Sequence, residues 1–514
     1  MGPMLTRRQL LGASLATGAG VLLGACAPLA DERDLRRRLR PSAKATLRVG
    51  ALGRRADIQR DPHGIVRNDS DLLVLSLVYD AMTVPGRSLI TTPRLMNGWE
   101  SNLDQTEWRF TVARGAAFHD GTPVTSADVA WSLERLRESE LGRRTLVGIG
   151  ASGIDTDGKR TVVVTSDEPN SELPLMLRAH TFTVQEGTTD VAGTPGTGPF
   201  TLDSYRDGDA TLVRNDRWHG GQAAVATLEV TMFEDAQALV DALAEGEIDY
   251  ASNVGGVVAR SAEDTPGIQV VRRSNDLSVP LVMRVADGPF ADARVREAVR
   301  LGVDREALVD EVLGGYGRVA NDIVGTGDPN YSDNVPERAR DVTRAVALLA
   351  EAGFDRSATY ELFTAADLPQ KVGAAKAIAA QLAEIGVSVK VTEQDVAQYE
   401  AQTWCKAALY MTSSSVNDSL AYSAVTAMRS GAPTNEAAFA DPDFDEAYAD
   451  AVASVVPNRR RARFRELQSI QHERSGYLVW GVAEGIDLMS EKVHDPPRVA
   501  GYGRVLLEST WAES

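Results

Sequence analysis

No segment of this chain is long and apolar enough to cross a bilayer as a helix. The best candidate, Leu10 to Leu23, falls short of the roughly 20 residues such a helix needs. A chain of 514 residues with 43% hydrophobic content must then find its apolar environment within itself. It is expected to form a globular body, and one core rarely organises that length, so two or three lobes are predicted. Charged residues make up 25% of the chain, so extended disorder is not expected past the N-terminal region.

The apolar run has the setting of an export signal. Arg7 and Arg8 form a twin-arginine pair before it, and Leu23-Gly24-Ala25-Cys26 follows. Those four residues resemble a lipoprotein box, in which the Cys26 thiol receives the lipid and becomes the new N-terminus. Residues 1–25 then read as a twin-arginine, lipoprotein-type export signal, and 26–44, with Pro28, Pro41 and a charged run, as a lipidated tether. Buried acyl chain contributes about 0.8 kcal/mol per CH₂, so the body needs no membrane-binding surface of its own. The expected location is the outer face of the cytoplasmic membrane, on its periplasmic or cell-wall side.

The net charge is -18, and it becomes more negative once Arg7 and Arg8 are removed. A body this acidic repels phosphate backbones, and no basic stripe with interleaved aromatics offsets it, so nucleic acid is excluded as a partner. Cys26 and Cys405 are too few for a disulfide framework, and Cys405 reads as a small core residue. The six histidines are widely separated and none lies in an HExxH arrangement, so no metal site and no cofactor are expected. Gly148 to Gly153 fits a dinucleotide fingerprint on paper but leads into a turn and strand. Asp155 to Lys159 has the opening of a calcium loop and reads better as a hairpin. GxSxG, GxxxxGK[ST] and SxxK constellations are missing, which argues against nucleophilic and phosphoryl-transfer enzymes.

The most specific stretch begins PRLMNGWESNLDQTEWRFTVARGAAFHDGTPVTSADVAWSLERLR. WRFTVA alternates as a half-buried strand, HDGTP is a turn, and Thr125 or Ser126 caps a helix with Asp128 in its first turn. With Trp99, Trp108, Phe110, Gly115, Phe118, His119, Asp120, Gly121, Pro123 and Asp128-Val129 in place, it resembles the signature of the family-5 extracellular solute-binding proteins of ABC importers, the oligopeptide/dipeptide/nickel-binding group. The likeness continues through GTGPFTLDSY (196–205), RNDRWHGG (214–221) and PFADARVREAVRLGVDREALVDEVLGG (289–315). Further on, DVTRAVALLAEAGF is an amphipathic helix with Val342, Val346 and Leu349 on one face and Gly353 as its stop. AAKAIAAQLAEIG followed by VSVKVTEQ is helix, glycine, strand.

The resemblance implies an α/β, two-lobed periplasmic-binding-protein type II fold with an extra inserted domain and a hinged interlobe cleft. By analogy, lobe I comprises 45–65, 195–280 and 485–514, inserted domain II comprises 66–194, and lobe III comprises 281–484. It also implies a monomer that carries a small peptide or other polar solute to a membrane permease and its ATPase. Family members that hold peptides place an aspartate in a Trp-x-x-Asp-Tyr segment. The corresponding SSSVNDSLAY puts the acid at Asp418, beside Asn417, with Ser415 and Ser419 in place of the aromatics. Arg54 and Arg55, after the first strand, can grip a carboxylate or phosphate in bidentate fashion, and Trp404 can stack on a ligand. Peptide, opine, metal chelate and glycoside all stay open as solutes. The rival readings are an extracellular enzyme on a related scaffold and a ligand-sensing lipoprotein.

Overall fold

The first strand, Thr46–Leu52, shows how the larger layer is built. Leu47, Val49 and Ala51 point into one core, while the opposite face takes the helix Ala236–Ala244 so closely that a Cβ on Gly50 would lie 2.3 Å from Leu239 Cδ1. A glycine there lets helix and strand approach. In the computed structural model, which describes residues 44–86, 90–178, 181–188, 194–415, 419–497 and 505–513, this strand pairs in parallel with Thr227–Phe233 and Tyr250–Ser252. Among the described residues the sheet has nine strands. Its path runs Ser414–Ser415, Ile268–Ser278, Gly481–Ser490, Tyr250–Ser252, Thr46–Leu52, Thr227–Phe233, Asp209–Arg214, Phe200–Arg206, with Gly317–Val319 also pairing Gly481–Ser490. Apolar clusters cover both faces, as parallel pairing requires.

Two further layers are built on excursions from this sheet. The first excursion makes a four-stranded antiparallel sheet, ordered Met96–Ser101, Glu107–Val112, Thr161–Thr165, Ile154–Asp157, with its own core under the helix Ser126–Glu138. Thr125 is the N-cap: it accepts from the Asp128 N–H, while Asp128 Oδ2 accepts from the Thr125 N–H at 2.8 Å. Gly148 to Gly153 is a turn entering the hairpin that pairs Ile154–Asp157 with Thr161–Thr165. The helix Asp69–Val78, within the 66–194 stretch, packs on the core of the large sheet instead, because Leu73, Val74, Leu75 and Leu77 find Leu47, Val49 and Phe200 there.

The second excursion makes a five-stranded sheet ordered Ser388–Gln394, Thr359–Ala365, Leu409–Met411, Leu281–Met283, Tyr477–Leu478. Thr359–Ala365 and Ser388–Gln394 run parallel around the helix Pro369–Glu384, with Gly386 at φ 81° after the helix. Cores lie on both faces, one containing Leu281, Met283 and Leu409, the other Val282 and Tyr410. Three short connections join the two large layers: Ser278 to Leu281, Met411 to Ser414, and Leu478 to Gly481. Trp480, 1% exposed, donates its indole N–H to Val279 O at 2.9 Å and so staples two of them together.

Candidate ligand cleft

The carboxyl ends of Thr46–Leu52 and Tyr250–Ser252 face one side of a seam. The carboxyl ends of Thr359–Ala365, Ser388–Gln394 and Leu409–Met411 lead into segments that meet the other. On the first side Asn253 stands at φ 54°. Its N–H donates to Asp487 Oδ1 at 2.8 Å and its amide to Asp69 Oδ2 at 2.8 Å. Arg54 follows the first strand. Its backbone exchanges bonds with the Asn68 side chain (2.9 and 3.0 Å), and its guanidinium, 59% exposed, lies 2.6 Å from Asp57. Arg55 is exposed and begins the short helical turn Arg55–Asp57. Both arginines lie on the expected loop, but Arg54 already has a carboxylate partner.

On the second side Trp404 is partly buried. Its indole N–H donates to Glu436 Oε1 at 2.8 Å, and Arg144, from the four-stranded unit, stacks over its ring at 4.5 Å. The same Glu436 carboxylate accepts from Thr412 Oγ1 and from the Tyr477 hydroxyl, each at 2.7 Å. Burial, then the Glu436 charge, pushes the Cys405 thiol up to about 12. Asn417 and Asp418, like Cys26, lie outside the described residues.

Four more contacts close the seam. Arg67 meets Glu400 at 3.4 Å, Arg429 meets Glu168 at 3.2 Å, Arg460 meets Glu172 at 3.2 Å, and the Ser171 N–H donates to Val452 O at 2.8 Å. Beside the Arg429–Glu168 pair a cavity of about 250 Å³ is lined by Val147, Ser166, Glu168, Arg429, Pro433 and Tyr448 among others. Buried deeper are Glu172, pushed up to about 8 by burial and then by Asp328, and Asp328 itself, raised by burial. Sequence reasoning did not single out Glu172, Asp328, Glu436 or Arg144. Each gains its role from a partner far along the chain, and no local pattern marks it.

The histidines in the recognised turns are structural. His119 Nδ1 accepts from the Gly196 N–H at 3.1 Å and Nε2 donates to Gly198 O at 3.2 Å, which binds the HDGTP turn to the GTGPF segment. Burial lowers its pKa, in keeping with a neutral ring. His219 bonds Arg94 O at 2.9 Å, beside a Trp218 indole that donates to Asp80.

Residues 91–436 match the family described as bacterial extracellular solute-binding proteins, family 5 Middle. The chain belongs to this family. Among its relatives is a "Probable peptide ABC transporter periplasmic-binding protein y4tO" of Sinorhizobium fredii, 26% identical over 422 residues, or 76% of each chain. Similar solved structures include the binding protein AgaA of A. tumefaciens R10 in complex with agropinic acid, at 23% identity and TM-score 0.77, covering 91% of this chain and 99% of that one. The oligopeptide-binding protein AppA of Bacillus subtilis, in complex with a nonapeptide, superposes at 18% identity and TM-score 0.75 over 92% of this chain and 100% of that one. The fold of this family-5 protein is accordingly the α/β type II periplasmic-binding-protein fold. The family is one of extracellular solute-binding components, and no helix among the described residues is long and apolar enough to cross a membrane.

Proposed function

We propose that this protein captures a small peptide, or a solute of similar polarity, between its lobes and hands it to the permease and ATPase of an ABC importer. The observation that carries the reading is the seam: two sheets joined by three short connections, and charged and aromatic side chains of the four-stranded unit meeting those of the second lobe beside a cavity of about 250 Å³. A peptide-transporter relative and a nonapeptide-bound neighbour favour a peptide over the other solutes. Closure is a hinge motion at the connections that Trp480 staples. In this reading the lobes follow the boundaries 45–65, 195–280 and 485–514; 66–194; and 281–484. Asp418 and Asn417 take a cationic group, Arg54 and Arg55 an anionic one, and Trp404 stacks on an apolar part. The protein acts as a monomer, held on the membrane through lipid on Cys26, and performs no chemistry on the solute.

Two measurements test this. Mass spectrometry of material released on denaturing the purified protein should find a small polar compound that rebinds and is recovered unchanged, whereas its conversion to a product would overturn the reading. For the anchor, the intact chain should partition with membranes, and Cys26→Ser should lose both the lipid mass and the partitioning. Unchanged mass and partitioning in the variant would remove the anchor.

A further inference from the structure

The seam buries two acids, one from each side. Glu172 (6% exposed) precedes the short helix Leu173–Met176 of the four-stranded unit, and Asp328 (5% exposed) lies in the loop after Gly317–Val319 on the opposite lobe. Asn330 donates its amide to Asp328 Oδ1 at 2.9 Å and stands close to the Glu172 carboxyl, which has Arg460 Nε 3.2 Å away. Asp328 also accepts from the N–H groups of Asn330 (2.7 Å) and Leu420 (2.8 Å), the latter opening the helix Leu420–Ser423. The charged groups around the pair are Arg460, on the helix Pro457–Arg474, and the buried Arg178. Tyr448, with Arg429 and Glu168, stands further out.

Two carboxylates brought together out of water repel each other and lose hydration, so one holds a proton unless cations compensate fully. Here the arginines lower both acids without reversing the effect of burial. When the lobes part, Glu172 leaves Asp328, Asn330 and Arg460 behind on the other side.

We propose that Glu172 and Asp328 form a proton-sharing clasp, so that closing the lobes takes up one proton from solvent. The inference rests on the closing motion proposed above, and not on what the solute is. The sign follows from the direction of the shift. The closed-state value of about 8 lies above the ordinary 4.5. Closure is therefore fully favoured below the lower value and loses that stabilisation as pH rises to the upper one. Across this window the closed-to-open ratio falls by up to about tenfold per pH unit.

The test uses the full chain with Ser171→Cys and Val452→Cys, whose backbones touch across the seam, and Cys405→Ala. In glutathione buffer the locked fraction is measured at several pH values with Glu172 and with Glu172→Gln, so that thiol chemistry cancels in the ratio. The ratio of locked to unlocked chain should fall with pH when Glu172 is present, relative to the Gln variant, by up to about tenfold per unit. A ratio independent of pH overturns the clasp and leaves solute capture untouched. A lock that forms in neither background overturns the seam, and with it the closing motion of the proposed function. Carboxyl carbon NMR of the locked chain supplies a second readout: Glu172 should titrate near pH 8, and Asp328→Asn should bring the midpoint down. Midpoints in the ordinary carboxylate range for both Glu172 and Asp328 refute the proposal.

Discussion

Asp487 has no water to turn to: its side chain is fully buried, as is that of Arg273, which donates to it from Nε at 2.7 Å and Nη2 at 3.0 Å. The Tyr250 hydroxyl (2.6 Å) and the Asn253 N–H (2.8 Å) fill its remaining positions, so the group ties the central strands of the large sheet to the loop at the cleft. Removing one member strands a buried charge, a far larger effect than losing a surface pair. Asp487→Ala should cost about 3–5 kcal/mol in a denaturant titration, and Arg273→Met with Asp487→Leu should cost less than the single change. Cys405 carries the opposite expectation. With its thiol near 12, about one molecule in ten thousand holds the thiolate at pH 8, so iodoacetamide should label Cys405 far more slowly in the native chain than in urea. Comparable native and denatured rates, read by peptide mass, would contradict that burial. At this scale the sequence was legible only in part: Cys405 read as a small core residue, and the structure leaves it half-buried, with burial raising its thiol. Asp487 looked like any strand acid, since its partners Arg273, Tyr250 and Asn253 come from distant parts of the chain.

Elements were the most legible level, because their signals repeat within a few residues. The capping box at Thr125 and Asp128 was readable from spacing, and the structure chooses Thr125 over Ser126 because Ser126 Oγ is occupied in donating to Gly158 O at 2.6 Å. Thr125→Ala should therefore lower stability by about 1 kcal/mol, and Thr125→Ser by a few tenths, in urea melts. Equal costs for the two would mean that the hydroxyl contributes nothing. The helix, glycine, strand run from Pro369 to Gln394 was likewise visible, with Gly386 taking the left-handed conformation that ends the helix. The crossing strands were not. Ile268–Ser278 carries Arg272 and Arg273 and lacks a clean period, because its side chains serve a buried ion pair and an exposed one instead of a single apolar face.

At the scale of the molecule, family likeness pointed to two lobes and a cleft, while the residues that meet across the cleft could not be read. Ser171 with Val452 and Arg67 with Glu400 are brought together only by the path of three connections between the sheets. That path makes the last prediction. If closure is a rigid rotation at Ser278–Leu281, Met411–Ser414 and Leu478–Gly481, a solute bridging the lobes adds its binding free energy to the closed form alone. At a hundred times its Kd this amounts to about 2.7 kcal/mol, which for a chain of this size melting as one unit is about 3 °C in Tm. The exposed seam pairs each contribute at most about 1 kcal/mol and are screened by salt, so they do not hold the lobes shut alone. The solute identified by mass spectrometry, returned to protein emptied by unfolding and refolding, should both raise Tm and reduce the radius of gyration in X-ray scattering. A rise in Tm with no contraction would place the solute on one lobe only. An emptied protein that is already as compact as the loaded one would mean that the closed form is populated without help from the solute, and the seam contacts would then outweigh the strain at the connections.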